Sequence, residues 1–447
     1  MKQFFYLAII FGLVACSDSF DSDKETLLDI SNNPYSISIT DAERIAAAYF
    51  IDSGVIPNTR SGNLYVKDSF SIKSRSEEPL LHVFNYEGGG FAIISADNRL
   101  HPIQAYSSVG FFRNDIENYP LGLKIWIDST EDALEEAKQK GVEADDDIKM
   151  AWMIYQTNGL YGCGIKTRSL TPGEMPSEEV DTLVGPFITD RWHQNSPYND
   201  NFSDGAHYYP YDFYDNNGLL HNAGDYAGSY HPVVGCVPLA IARVLRYHQI
   251  PNSYSWSSMP NSAPQTAATK SFISDIHYAI KSYVDNIGSG LFKYFRYPDW
   301  NNSLTYITGY HNETGVYKQF SIGSFLCDQY NLPAAITESY SVNSHGLIRR
   351  EIIDYHLPCI ISGSTAAGAG HAWICDGYHY NFIPVFDLNG EQIGGIRTIR
   401  LHYCWGMENC EYDGWYNSNN VTMGNYTLQY QMKVTHYISE LNYWELF

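Results

Sequence analysis

The pattern of apolar and polar positions changes period several times along the chain. In T-D-A-E-R-I-A-A-A-Y-F-I-D, from residue 40, Ile45, Ala48 and Tyr49 recur at core spacing on a helix. Thr40-Asp41-Ala42-Glu43 precedes them as a capping box, so a helix is predicted from there to about Asp52. L-L-H-V-F-N-Y and G-F-A-I-I-S-A, joined by a Gly-rich turn, predict antiparallel strands, with Lys67, Ser74, Arg75, Ser76 and Glu77 in the loops between short strands. Helical period returns near 120–141 and 146–158. Residues 161–181 combine turn residues and charge with no period, and predict an exposed linker where chain nicking is easiest. Further on, one helix is predicted just after residue 235 and another near 270–284. The remainder turns to strands: L-P-C-I-I-S-G, H-A-W-I-C-D-G-Y-H-Y, P-V-F-D-L, R-T-I-R-L-H-Y and the region Thr422–Gln431, with a turn at D-L-N-G. There are no internal repeats and no low-complexity tracts.

The first of these later helices carries the candidate chemistry. In H-P-V-V-G-C-V-P-L-A-I-A-R-V-L-R-Y-H, Gly235 permits a tight turn, Pro238 is tolerated in a first helical turn, and Leu239, Ile241, Ala242, Val244 and Leu245 make a wide apolar face. Cys236 therefore falls at the positive end of a buried helix, where a thiolate is favoured. His371 follows roughly 135 residues later, in G-A-G-H-A-W-I-C-D-G, at the start of a strand and beside a small-residue loop suited to a cleft edge. A Cys at a helix mouth and a His about 130–150 residues downstream is the spacing of a papain-type thiol protease. Taken alone, Cys236 could equally be a plain buried thiol, and His371 one of fifteen histidines with a structural role.

The neighbouring motifs decide between these readings. V-G-C-V-P-L-A-I-A-R-V-L-R-Y-H-Q-I-P and G-H-A-W-I-C-D-G resemble the nucleophile helix and histidine strand of the streptopain-like family of papain-fold cysteine proteases. W-H-Q-N-S-P-Y-N at 192–199 resembles the start of that family's mature domain, and H-Y-C-W-G followed by D-G-W-Y its closing hairpin. G-G-G-F-A-I-I-S-A-D-N-R-L-H-P-I-Q-A-Y-S at 88–107 resembles its inhibitory prosegment. The resemblance implies an α+β chain: a papain-like catalytic domain, with a helical part and an antiparallel sheet part, behind an α+β inhibitory prodomain. It makes Cys236 the nucleophile, His371 the base and Gln194 an oxyanion-hole donor alongside the Cys236 N–H. Cys404 stands where the family usually has an Asn that orients the imidazole, and Met407 where a second Trp-Gly would begin. Trp405 is kept and is expected to pack over the His371 ring.

The amino terminus sets the expected compartment. Met1-Lys2 and the apolar run Phe4 to Val14 have signal-peptide form, and L-V-A-C resembles a bacterial lipoprotein box, making Cys16 the lipidated first mature residue. An acidic stretch follows, either a surface-export signal of the kind Bacteroidetes lipoproteins carry or a solvated tether. The expected organisation is a signal peptide at 1–15, a tether at 16–33, the prodomain at 34–160, an activation linker at 161–183 and the protease domain at 184–447. The expected location is the outer membrane, surface-exposed, with the catalytic domain released on cleavage.

The chain has 447 residues, enough for two to three domains, and its 44% apolar content can fill real cores. A net charge of −22 argues against nucleic-acid partners and against adsorption to anionic membranes. The expected partners are protein or peptide substrates, the chain's own prodomain, and a membrane reached through the lipid before activation. Of eight cysteines, six remain once Cys16 and Cys236 are assigned: Cys163, Cys327, Cys359, Cys375, Cys404 and Cys410. Cys404 and Cys410 could close a hairpin, but free buried thiols fit equally well. No C-x-x-C or H-E-x-x-H occurs, so neither metal nor cofactor is expected. A secreted zymogen cysteine endopeptidase is the leading reading. An inactive surface lipoprotein serving as an adhesin or binding module is the alternative, and amidase or acyl-transfer chemistry a third.

Overall fold

A computed structural model describes residues 33–53, 65–141, 143–156, 180–202, 205–208, 213–214, 219–222, 226–230, 233–287, 306–308, 313–315, 320–332, 334–341, 344–364, 370–386, 391–418 and 432–437. One antiparallel sheet of eleven strands runs through both halves of the chain. Its strands are β1 (Val66–Lys73), β2 (Pro79–Tyr86), β3 (Phe91–Ser95), β4 (Ile103–Ser107), β5 (Val180–Val184), β6 (Ile336–Ser339), β7 (Cys359–Ser364), β8 (Gly370–Phe386), β9 (Gln392–Cys404), β10 (Gly414–Asn417) and β11 (Lys433–His436). Their order is β1-β2-β3-β4-β10-β9-β8-β7-β11-β6, with β5 alongside the far half of β8. The join between the halves is short: Tyr106 faces Trp415 and Ala105 faces Tyr416.

The helices are α1 (Ile39–Ser53), α2 (Leu121–Lys140), α3 (Asp146–Gln156), α4 (Cys236–His248), α5 (Ala267–Ile287), α6 (Ile322–Tyr330) and α7 (Ser344–Arg349), the last running on into a π-turn over Arg350–Asp354. Those at 121–140 and 146–156 lie where the apolar period put them. The cap of α1 lies two residues upstream of the expected box. The Ser38 hydroxyl accepts the Asp41 N–H at 3.1 Å and donates to the Asp41 carboxylate at 2.7 Å, so Ser38 and Asp41 do what Thr40 and Glu43 were expected to do. Lys67 lies within β1 rather than in a loop: the strand is partly exposed and tolerates its polar side chains.

One apolar core passes under the sheet from Leu80, Val83 and Phe91 through Leu123 and Trp126 to Trp373, Trp405 and Tyr416. A second fills the space between α4, α5, α6 and the β8–β9 strands, with Leu239, Val244, Phe272, Phe325 and Ile374 fully or almost fully buried. Each such side chain contributes about 1.5–3 kcal/mol through removal from water. Helix α3 packs on both sides of the join: Trp152 meets the α1 side, while Ala151 and Ile154 meet Ile383, Val385 and Ile396 of the β8–β9 hairpin.

The last residues of the expected linker are part of a strand. Val180–Val184 forms β5, paired with β8 from Tyr378↔Val184 to Phe382↔Val180, along a length of β8 that β7 leaves unpaired. Residues 161–179, the D-L-N-G turn and the expected Thr422–Gln431 strand lie outside the described residues, as do the signal peptide, Cys16 and Cys163. Among the described residues no helix is long and apolar enough to cross a membrane.

Candidate active site

The turn ahead of the candidate nucleophile Cys236 is built as its sequence dictates. Gly235 has φ 92°, a region that side chains disfavour, and α4 begins at Cys236 directly behind it. The apolar face of α4 is fully used: every residue from Pro238 to Leu245 is buried. Arg243 is buried with them, and its Nε and guanidinium reach Asp190 Oδ1 and the Asp190 carbonyl, both at 2.8 Å. Cys236 is half-buried. It lines a small cavity with Leu239, Ala372, Trp373, Cys404 and Trp405. The loop preceding it is tied to the candidate oxyanion segment: Val234 N–H donates to the Gln194 carbonyl at 2.9 Å.

His371 sits near the start of β8, opposite Gly363 of β7. Its Nε2 is 3.1 Å from the Trp405 carbonyl oxygen. A carbonyl only accepts, so Nε2 carries the hydrogen, and the neutral ring is left with an unprotonated Nδ1 as its basic atom. The ring stacks on Trp373 at 6.1 Å and 13°, and Trp373 in turn touches Trp405 at 5.4 Å. The residue over the His371 ring is thus Trp373, while Trp405 contributes its main chain. Burial lowers the His371 pKa to about 4, the Trp405 hydrogen bond opposing.

Cys404 does not face His371. Its Sγ lies 3.7 Å from Asp376 Oδ1 and 3.9 Å from His402 Nδ1. The reason is strand geometry. Cys404 pairs with Ile374, and a bulge in β8 between Cys375 and Gly377 turns the Asp376 carboxylate inward, where it meets His402 Nδ1 at 2.6 Å and the Ile188 N–H at 2.8 Å. Burial, then Asp376, raise the Cys404 thiol well above its ordinary value. Cys404 and Cys410 are both free thiols. The ligand atoms of Asp376, His402 and Cys404 lie within 4.8 Å of one another, so these three could hold a metal ion, although the Asp376–His402 hydrogen bond already engages two of them.

The amino-terminal half closes over this site. At Gly122, near the start of α2, a Cβ would lie 2.6 Å from the Trp405 ring and 2.7 Å from the Trp373 ring. Trp126, one turn on, packs on Tyr416 at 4.9 Å and donates to the Asn417 carbonyl at 3.2 Å. A cavity of about 30 Å³ remains between α2 and Tyr340, His345, Trp373 and Tyr403. Phe112 and Tyr119 pack on Tyr412 at 5.0 and 5.3 Å, and Arg113 pairs with Glu411.

Sequence reasoning missed the Trp405 carbonyl, because a backbone acceptor leaves no residue-type signal. It also missed Gly122 and the buried Asp190–Arg243 pair. An arginine inside an otherwise apolar α4 face was the available clue to that pair.

Residues 34–134 match the Spi protease inhibitor family and residues 192–416 the Peptidase C10 family. The thiol protease/hemagglutinin PrtT of Porphyromonas gingivalis is 21% identical over 388 residues, covering 76% of this chain and 36% of that protein. The chain therefore spans little more than a third of the length of this curated relative. A solved fragment of Prevotella intermedia prointerpain A is 16% identical, with a TM-score of 0.47, covering 83% of this chain and 98% of that one. The resemblance read from the motifs holds for both halves: the chain belongs to the Peptidase C10 family of streptopain-like, papain-fold cysteine proteases and carries an inhibitor-type prodomain ahead of its protease domain.

Proposed function

We propose that this chain is a secreted zymogen endopeptidase in which Cys236 and His371 perform acyl transfer. The observation that carries the reading is the 3.1 Å contact of His371 Nε2 with the Trp405 carbonyl. It leaves Nδ1 as the ring's basic atom, suited to a thiol at the mouth of α4. His371 takes the Cys236 proton, the sulfur attacks the peptide carbonyl, and the imidazolium returns the proton to the leaving amine. Water then hydrolyses the thioester by the reverse path. The Cys236 N–H and the Gln194 amide bind the oxyanion.

Latency follows in this reading from α2, whose Gly122 lies against the two tryptophans beside His371. A cut within about 163–183 separates the halves, and 34–160 acts as the inhibitor. Cys16 carries a lipid that holds the uncut chain at the outer membrane, so the same cut frees the protease domain. The hemagglutinin in the name of the Porphyromonas relative favours the second reading, an inactive binding module, though the present chain covers only 36% of that protein.

The test is to incubate the chain from Cys16 onward with an unstructured protein and a thiol reductant, beside Cys236→Ala. Cleavage by the parent alone supports the endopeptidase. Equal cleavage by both removes Cys236 from the reaction, and no cleavage by either, even after the linker is cut, favours the binding module.

A further inference from the structure

We propose that Asp413 is a positioning residue for the His371 base: it fixes the Trp405 main chain whose carbonyl holds the imidazole. The inference rests on the Cys236–His371 reading.

Trp405 is held at both main-chain ends. Its carbonyl meets His371 Nε2 at 3.1 Å, and its own N–H donates to Asp413 Oδ1 at 2.7 Å. Its indole is pinned as well, Nε1 donating to the Tyr412 carbonyl at 2.9 Å. The chain must turn sharply between Trp405 and Asp413 to make these contacts. It does so with Asn409, Cys410 and Tyr412 at φ 58°, 55° and 67°, all in the left-handed region and none of them glycine. Backbone of this kind persists only where its surroundings over-determine it. Here the return of the Asp413 carboxylate to the Trp405 N–H closes the turn.

Asp413 is itself buried, at 5% exposure. Burial pushes its carboxyl up to about 6, and Arg243 is the strongest influence pulling it back, followed by the Trp405 N–H and His402, with Asp376 opposing. Arg243 lies on α4 two turns beyond Cys236, and its own firm partner is Asp190 at 2.8 Å.

The consequence for the reaction lies in the imidazolium. When His371 holds the thiol's proton, its Nε2–H is a charged donor, and its bond to the Trp405 carbonyl strengthens. If that carbonyl swings away, the imidazolium loses its acceptor and gives up its proton at lower pH. The alkaline limb of the pH–rate profile then moves down, a change that loss of folded protein alone does not produce.

The test uses the full chain, nicked in its linker by limited trypsin, with kcat, KM and the pH profile measured on a peptide substrate. Asp413→Ala is expected to lower kcat about a hundredfold, the size of effect that small misplacements of reacting groups cause, with KM within about twofold. Its alkaline limb is expected to fall by about one pH unit. Asp413→Asn keeps an oxygen for the Trp405 N–H and should recover about tenfold of the loss. Parental kcat and an unmoved limb in Asp413→Ala overturn the proposal. So does a lower kcat with an unmoved limb and no recovery in Asp413→Asn, which leaves the residue a purely structural role. Should Asp413→Ala not fold, Asp413→Asn decides: a lowered kcat with a shifted limb supports the role, and parental values for both reject it. His371→Ala run in parallel separates the two claims, because activity surviving there defeats the Cys–His reading whatever Asp413 does.

Discussion

His371 is buried beside Trp373, the ring that α2 packs against. Burial holds its pKa near 4, so the ring is neutral in the latent chain. Between about pH 4 and the ordinary histidine value of about 6.5, the unfolded chain binds a proton that the folded chain refuses. Stability rises with pH across that window and is lost on acidification. In the proposed mechanism the departure of α2 admits water to the ring, which regains its usual basicity and retains the Cys236 proton. Inactivation by a cysteine-directed epoxide at pH 6 should therefore run at least about tenfold faster in the cleaved protein than in the intact one, one pKa unit corresponding to a factor of ten. Cys236→Ala and His371→Ala should each abolish peptide cleavage. Gln194→Ala should still be labelled but turn over roughly 10–1000-fold more slowly, the range for one lost oxyanion donor. Cys404→Ala should leave the pH profile unchanged, since its thiol faces Asp376 and His402, and should cost about 1 kcal/mol of stability through the space it vacates. A moved alkaline limb in that variant would return Cys404 to the base. At this scale the candidate reactive side chains stood out in the sequence because few residue types can do such work. The atom that holds the base is a carbonyl, which every residue possesses.

Among the elements, α2 offers the sharpest test. Its sequence shows an ordinary apolar helix, and nothing in the period distinguishes Gly122 from a weak helical position. The structure gives that glycine a purpose: any side chain would enter the Trp373 and Trp405 rings. Gly122→Ala should raise intrinsic helix propensity by about 1 kcal/mol, yet loosen docking of α2. The expected outcome is measurable peptide cleavage by uncut protein, checked beside a chain whose linker has been confirmed intact by mass. A fully silent variant would show that α2 is not what closes the site. Elements with long apolar periods, such as α2, α3 and α5, were legible to within a few residues. Those set by short-range competition were not. Ser38 outcompeted Thr40 as the cap because its hydroxyl reaches the Asp41 N–H. Val180–Val184 joined the sheet because β8 offered an unpaired length beyond the end of β7, which no local pattern reports.

At the scale of the whole molecule, the halves share a polar seam as well as a sheet. His101 of the amino-terminal half lies buried against Thr398 at 3.1 Å and near Arg400, whose guanidinium sits over the Tyr49 and Tyr106 rings. Burial, reinforced by Arg400, lowers the His101 pKa to about 3. On the other side of Tyr106, His379 meets the Tyr106 hydroxyl at 3.2 Å and Asp181 at 2.6 Å, and that pairing lowers the Asp181 carboxyl. Docking favours neutral His101, so it weakens as pH falls below about 6.5. After a linker cut, the two halves should separate faster at pH 5 than at pH 7.5 on size exclusion, and His101→Gln should flatten the difference. Equal rates at both pH values in the parent would remove the seam from the release step. Separation has a further result. While the halves are joined, the main chain of Trp415 and Tyr416 is occupied by Ala105 and Tyr106. With β4 gone, β10 becomes a bare sheet margin carrying two large aromatic residues, a ready template for another extended chain. The freed protease domain should self-associate in proportion to its concentration unless a peptide, a second copy or the departing half takes that place, so the strand that ends latency's hold also gives the released enzyme a sticky border.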